Sequence, residues 1–298
     1  MKMRLPLLVV ILLLTGCGGE KTTSEYVAKI DAWHAGRVER LRSDTGWLTL
    51  VGLHPLKEGV QSLGASADAD VVLATGAPFW VGSLAVTPET ILFSAHPDAP
   101  VEVLDSESEG RLSSCTLATD KEGPPTKLAT GSFVFYVIDR GGQLFLRVKD
   151  RKSPALLSFQ GIDRFPVDVR WRVAARLQPG PSTVAVPDVL GHRTDSPSPG
   201  ILVFEIDGQE YRLTPTGKPG ERMSLVFGDA TNGPTTYPGG RFLVIEPPAA
   251  DGTVVVDFNL AYNPPCVFTP YATCPLPSPG NTLPVAVEAG EKVWGDDH

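Results

Sequence analysis

The chain has 298 residues, of which 42% are hydrophobic and 20% charged, and its formal net charge at pH 7 is −8. This composition is typical of a globular protein with a sizeable core, and the negative charge argues against nucleic acid or an anionic membrane surface as a partner. Thirty glycines and 28 prolines without a repeat period predict many turns and therefore many short strands.

The N-terminal segment has the three parts of a secretory signal, which are positive charges at Lys2 and Arg4, an apolar run at residues 5–14, and small residues before a cut site. The run is too short to span a bilayer, which takes roughly 20 apolar residues. Residues 14–17, Leu-Thr-Gly-Cys, resemble the lipobox of bacterial lipoproteins. We therefore expect a signal peptide at residues 1–16 and a lipid on Cys17. The alternatives are an ordinary signal peptide or a buried N-terminal strand.

Lipidation of Cys17 implies a cell-envelope protein whose partner is the membrane that holds its acyl chains. Several chains are needed for firm anchoring, because one chain alone binds only marginally. Gly18 follows the cysteine, in place of the aspartate that often retains lipoproteins in the inner membrane. In a Gram-negative host we expect the outer membrane, with the protein facing the periplasm.

Residues 17–45 are predicted to form a tether followed by one amphipathic helix at residues 24–42. Thr22, followed three residues later by Glu25, fits a capping box, and apolar residues then recur at helical spacing. The polar face of this helix carries both signs of charge. That pattern favours packing on the protein over lying in the membrane interface.

From Gly46 onward, short apolar runs alternate with turns and predict an all-β, mostly antiparallel fold. The polar stretch at residues 107–125 suggests a boundary between a small β domain at residues 46–120 and a larger one at residues 121–294. The larger domain begins with a predicted hairpin at 133–148 and contains a second turn signal at Asp207-Gly208. We expect a small N-terminal β-sandwich, then a larger β-sandwich or barrel.

Residues 58–73 resemble the opening of a forkhead-associated domain, a small β-sandwich that binds phosphothreonine through a Gly-Arg-Ser turn. Gly64 and Ser66 match that turn, but Ala65 stands where the family has arginine. Without the guanidinium, phosphate cannot be bound by two parallel hydrogen bonds. The resemblance therefore supports a sandwich and not phosphopeptide binding.

The C-terminal third concentrates polar side chains, aromatic rings and prolines in loops at strand ends, where rigid scaffolds often carry function. Their side chains are candidates for binding a ligand; the alternative is a stiff cap in which they hydrogen-bond their own turns. The candidate residues are Asp229, Thr231, Arg241, Asp257, Asn259, Tyr262 and Asn263.

Cys266 and Cys274 close a short loop in this region, and export to an oxidising compartment would favour a disulfide between them. A two-cysteine metal site and two free thiols are the alternatives; no histidine lies near in sequence, and we expect neither a metal nor a cofactor. Cys115 is predicted to be a small buried hydrophobe.

Several motifs resemble the bacterial family known as domain of unknown function 1684. They include Trp-Leu-Thr-Leu-Val at 47–51, Phe-Gly-Asp-Ala-Thr-Asn-Gly at 227–233, Tyr-Asn-Pro-Pro-Cys at 262–266 and Pro-Tyr-Ala-Thr-Cys-Pro-Leu-Pro at 270–277. The resemblance implies that residues 33–292 form one family unit, and it implies no activity.

Two functions follow from these observations. The first is an envelope lipoprotein that binds a small molecule or another envelope protein. The second is a hydrolase-type enzyme with a site around Asp229, Asp257 and Tyr262, although standard hydrolase motifs such as Gly-x-Ser-x-Gly are absent. An enzyme requires at least two of these side chains to converge in one accessible pocket.

Overall fold

The computed structural model describes residues 22–104 and 111–295, so the predicted signal peptide and Cys17 lie outside the described residues. The helix α1 (Ser24–Arg42) has the predicted bounds. Its N-cap is Thr23, one residue later than the capping box predicted, and the Thr23 side chain accepts a hydrogen bond from the Tyr26 amide at 3.2 Å. The neighbouring Thr22 hydroxyl instead accepts the Val169 amide at 2.9 Å.

The first part of the fold is a sandwich of two five-stranded sheets, with strand orders β1-β10-β9-β8-β6 and β3-β2-β4-β5-β7. All pairs are antiparallel except β2 with β3. Its strands are β1 (Leu50–Pro55), β2 (Gly59–Gly64), β3 (Val71–Val72), β4 (Gly82–Val86), β5 (Ile91–Ala95), β6 (Glu102–Val103), β7 (Ser114–Thr116), β8 (Leu128–Thr130), β9 (Phe133–Arg140) and β10 (Gln143–Asp150).

The predicted boundary between residues 120 and 121 falls inside this sandwich. The sequence pattern places the hairpin β9–β10 in the second domain. In the structure, β10 pairs with β1, and the ring centres of Phe135 and Phe93 lie 5.7 Å apart in one core. The described part of the polar stretch, residues 111–125, contains the strand β7, which pairs with β5 in this sandwich. The resemblance to a forkhead-associated domain stays a prediction.

The second part is a four-stranded sheet of order β15-β14-β11-β18 that shares a core with the hairpin β16–β17. A further hairpin, β12–β13, forms its own two-stranded sheet. The elements are the short helix α2 (Pro154–Ser158) and the strands β11 (Arg172–Gln178), β12 (Thr183–Pro187), β13 (Arg193–Pro197), β14 (Ile201–Ile206), β15 (Gln209–Leu213), β16 (Met223–Phe227), β17 (Arg241–Ile245) and β18 (Thr253–Asp257).

The predicted all-β fold class is confirmed, and every sheet in the described part of the chain is open, so its strands stack in layers and do not close a barrel. Helix α1 packs beside the second part, where Leu41 joins a small core with Phe159, Ile162 and Phe268. No helix within residues 22–104 and 111–295 is long and apolar enough to cross a membrane.

If residues before and after position 120 share one core, substitutions of Phe93 and Phe135 must be coupled. In a double-mutant cycle with Phe93→Leu and Phe135→Leu, we expect a coupling free energy of about 0.5–1.5 kcal/mol, because the two rings are in contact. Urea denaturation measures it. Phe93→Leu with Phe204→Leu is the control, since Phe204 lies in the other core and the two effects must add. An additive Phe93/Phe135 pair would contradict the shared core.

Candidate functional site

Asp229 and Arg241 form an ion pair in the interior of the second part, with Arg241 Nη2 2.8 Å from Asp229 Oδ2 and both side chains fully shielded from solvent. The other oxygen of Asp229 accepts hydrogen bonds from the Thr231 amide at 2.8 Å and its hydroxyl at 2.6 Å, and from the Val287 amide at 3.2 Å. Both oxygens of this carboxylate are therefore hydrogen-bonded by the protein.

The Arg241 guanidinium also donates to two main-chain carbonyls, those of Val287 and Ala289. Burial lowers the pKa of Arg241, and the charge of Asp229 opposes this shift. Removing a charge from water is costly unless it is paired and hydrogen-bonded, so this network holds the C-terminal segment against the core. The structure thus brings Asp229, Thr231 and Arg241 together in one buried hydrogen-bond network.

Asp257 and Asn259 form a second network beneath helix α1. The Tyr26 hydroxyl donates to the Asp257 carboxylate at 2.8 Å, and Asn259 Nδ2 donates to that hydroxyl at 3.0 Å and to the Asp168 carbonyl at 2.9 Å. Burial and the neighbouring Asp257 charge raise the pKa of Tyr26 above its ordinary range. The network fixes the start of α1 to the end of β18 and leaves Asp257 little exposed.

Asn263 belongs to a third network, which ties the middle of α1 to the C-terminal segment. Its amide donates to Glu291 Oε2 at 2.7 Å, and its carbonyl accepts from Arg37 Nη2 at 2.9 Å. Arg37 Nε lies 3.4 Å from Glu291 Oε1, and the guanidinium lies 4.9 Å from the centre of the Tyr262 ring. Burial raises the pKa of Glu291, although Arg37 opposes the shift.

Sequence reasoning missed Arg37 and Glu291. Arg37 follows Trp33 by one helical turn, so the two side chains lie on the same face of the helix. An arginine on the face that carries a large aromatic residue is the one local signal that Arg37 packs against the protein. Glu291 stands in an irregular segment, and no local pattern marks it as a partner of α1.

The predicted enzyme site around Asp229, Asp257 and Tyr262 is not assembled. The Asp229 carboxylate is hydrogen-bonded to Thr231, Arg241 and Val287. The Asp257 carboxylate is hydrogen-bonded to Tyr26 and Asn259, so the two carboxylates share none of these partners. Tyr262 contacts the rings of Trp33 and Phe242. The three side chains do not converge on one accessible position, and the described residues hold no group of three or more potential metal ligands.

Cys266 and Cys274 are paired at disulfide distance, with their Cα atoms 6.2 Å apart. The segment that follows Cys274 is hydrogen-bonded to the β12–β13 hairpin and its turn. The Cys274 carbonyl accepts the Val189 amide at 3.0 Å, and the Leu276 amide donates to the Pro187 carbonyl at 2.8 Å. The proline-rich motif therefore positions a neighbouring hairpin.

The remaining described cysteine, Cys115, lies on the edge strand β7. It is half-buried, whereas the sequence predicts a buried residue.

Apart from that of Tyr262, the polar side chains of the candidate residues are hydrogen-bonded to other parts of the protein. Tyr262 itself borders a cavity of about 340 Å³. The cavity lies on the outer side of β16–β17 and is covered by β12–β13 and residues 275–281. Its apolar walls include Val186, Leu225 and Phe242. The side-chain hydroxyls of Ser196, Ser224 and Ser278 line it and make no hydrogen bond with any described residue.

The fold and its clamped C-terminal segment define the class as a two-part, all-β protein with one N-terminal helix. The family model described as "Protein of unknown function (DUF1684)" matches residues 157–292, and this match supports the membership of the chain in that family. The match covers the second part of the fold, which is less than the expected unit of residues 33–292. The motif at 47–51 lies outside it.

Among solved structures, seven chains match. One is the solution NMR structure of an uncharacterized protein of Haloarcula marismortui, which is 31% identical over 47% of this chain and 80% of that chain, with a TM-score of 0.39. No curated protein matches.

The raised pKa of Glu291 predicts a pH dependence of stability. A carboxyl group that binds its proton more tightly when folded makes the folded state less stable as the pH rises through that raised pKa, starting from the ordinary value of about 4.5. Relative to Glu291→Gln, the free energy of unfolding of the natural protein must therefore fall with increasing pH. Urea denaturation of both proteins between about pH 4.5 and 8 measures this difference.

Glu246→Gln is the matched control, because Glu246 is an exposed residue paired with the exposed Arg222. The difference in free energy of unfolding between this variant and the natural protein must change little with pH over the same range. The prediction is contradicted if the natural protein gains stability relative to Glu291→Gln as the pH rises. That result would mean that Arg37 stabilises the carboxylate more than burial disfavours it.

Proposed function

We propose that this protein is an envelope lipoprotein, anchored by lipid on Cys17, that binds a small molecule in the cavity between the hairpins β12–β13 and β16–β17. The observation that supports ligand binding is the cavity itself, about 340 Å³ with apolar walls and several hydroxyls that have no hydrogen-bond partner among the described residues. Ligand sites in proteins are typically concave, mainly apolar, and supplied with a few polar groups that fix orientation.

The chemistry of the walls indicates the kind of ligand. None of the described residues that line the cavity is Asp, Glu, Lys or Arg, so a charged ligand would lose its hydration without gaining an ion pair from them. A neutral, largely apolar molecule with one or two hydroxyl or amide groups could bury its body and hydrogen-bond to the serines. This proposal leaves the hydrolase alternative without an assembled site.

Anchoring depends on Cys17 alone among the cysteines. We expect the natural protein to sediment with membranes and to be released by detergent but not by concentrated salt, because several acyl chains hold it there. Cys17→Ser must remove this association and the incorporation of labelled fatty acid, and Cys115→Ser, the control, must leave both unchanged. Equal membrane association of the Cys17→Ser protein would refute the anchor.

Filling the cavity must remove its ligand. We expect a small molecule to co-purify with the protein isolated from its own host and to be detected by untargeted mass spectrometry of the extracted protein. Ser196→Phe and Ser224→Phe, which place rings at the cavity wall from two different hairpins, must each reduce it by about tenfold or more.

Val255→Phe is the matched control, because Val255 is exposed on β18 and does not line the cavity. Its ligand content must equal that of the natural protein. The binding proposal fails if nothing is enriched over a mock purification, or if the ligand survives both serine substitutions.

A further inference from the structure

A second concave site lies on the other side of Tyr262, between helix α1 and the outer side of β17. It has a volume of about 290 Å³. Trp33, Arg37 and Arg40 line it from the helix, and Trp47, Val244 and Tyr262 line it from the opposite side. We call this site the aromatic cleft. It combines indole and phenol rings with guanidinium groups, and none of the described residues that line it carries a carboxylate.

The walls of the aromatic cleft are held in place by the packing of α1. Helix residues 33, 37 and 40 recur at a spacing of four and three, which places them on one face. Contacts along the helix attach it to the second part of the fold. They include Tyr26 to Asp257 at 2.8 Å, His34 to the Ile162 carbonyl at 3.2 Å, and Arg37 to the Asn263 carbonyl at 2.9 Å. A site with fixed walls loses little entropy when a ligand binds.

The charge of the cleft is not balanced. Arg37 is paired with Glu291, but the exposed Arg40 forms no ion pair or side-chain hydrogen bond with any described residue. Its guanidinium lies back along the helix, with Nη1 3.4 Å from where a Cβ on Gly36 would be. Arg40 is therefore a free cation at the mouth of a site with aromatic walls.

Two further cations raise the positive potential around the cleft. Arg147 and Lys149 on β10 lie 5.5 Å and 5.6 Å from the centre of the Trp47 ring, and neither forms an ion pair within the described part of the chain. Both are at least nine-tenths buried, and Arg147 Nε is without a hydrogen-bond partner. Burial, together with Arg147 and Lys127, lowers the pKa of Lys149 to about 8.

We propose that the aromatic cleft binds an organic monoanion with a planar aromatic body. Its acidic group would lie against Arg40, and its ring would pack among Trp33, Trp47 and Tyr262. The Tyr262 hydroxyl, which has no hydrogen bond to a described residue, is available as a further donor. A neutral molecule of the same shape would gain the packing but not the attraction between opposite charges.

This proposal does not depend on the hairpin cavity, whose walls are uncharged. The two sites share only the Tyr262 ring, so variants can address them separately.

The test uses naphthaleneacetate and its neutral isostere naphthaleneacetamide, titrated by calorimetry into the full-length lipoprotein in nanodiscs of zwitterionic lipid, with empty nanodiscs as the reference. We expect the acid to bind about tenfold or more tightly than the amide, and added salt to reduce the difference. Arg40→Gln must abolish the preference for the acid, and Arg40→Lys must retain most of it.

Arg42→Gln is the control for net charge, because Arg42 lies on the same helix but pairs with Glu39 and does not line the cleft. It must retain the preference, and thermal unfolding must show that each variant is folded. The proposal is overturned if the acid does not bind, if the amide binds equally well, or if Arg40→Gln and Arg42→Gln have the same effect. Loss of acid binding in Ser196→Phe, with Arg40→Gln neutral, would place the probe in the hairpin cavity and also overturn it.

Discussion

The C-terminal segment at residues 287–292 is held between two buried arginines, and the second part of the fold depends on this arrangement. Arg241 reaches from β17, is neutralised by Asp229, and donates to main-chain carbonyls of the segment. Arg37 reaches from α1 and pairs with Glu291 in the same segment. Each guanidinium is removed from water at a cost of several kcal/mol. Its burial is therefore stable only when the partner carboxylate and the carbonyls that accept its hydrogen bonds are in place. The segment and the helix are therefore placed by the same charges.

This constraint explains why a region rich in Asp, Asn, Thr and Arg resembles a reactive site in sequence. A segment without regular secondary structure has main-chain groups that must find partners when they are buried. Here side chains supply them: Asp229 accepts the Val287 amide, and Asn263 Nδ2 donates to the Lys292 carbonyl at 2.6 Å. The polar side chains thus satisfy backbone groups, and binding capacity lies instead in cavities whose groups still lack partners.

Local features of the fold could be predicted from the sequence, but pairings between distant segments could not. Helix α1 has its predicted bounds because spacing and capping are encoded within the segment, and Asp207-Gly208 joins β14 to β15 as a hairpin signal indicates. The hairpin β9–β10 was predicted, yet its sheet was not, because its partner β1 lies far earlier in the chain. The same limit applies to the site. Asp257 and Asn259 are near in sequence, so the sequence pattern indicates them together as candidate residues. Arg37 and Glu291 lie near opposite ends of the described chain, and no local pattern pairs them.

Tyr262 determines whether the two cavities are separate sites or one. Its main chain exchanges two hydrogen bonds of 2.9 Å with Phe242 on β17, which fixes the position of its Cα. Its ring packs at 5.8 Å against Phe242 and at 6.1 Å against Trp33, and the Arg37 guanidinium lies 4.9 Å from its centre. Rotating the ring away would break its contacts with the strand or with the helix. Because this wall is fixed, the uncharged cavity and the cationic cleft stay distinct, and each must select its ligand by its own chemistry.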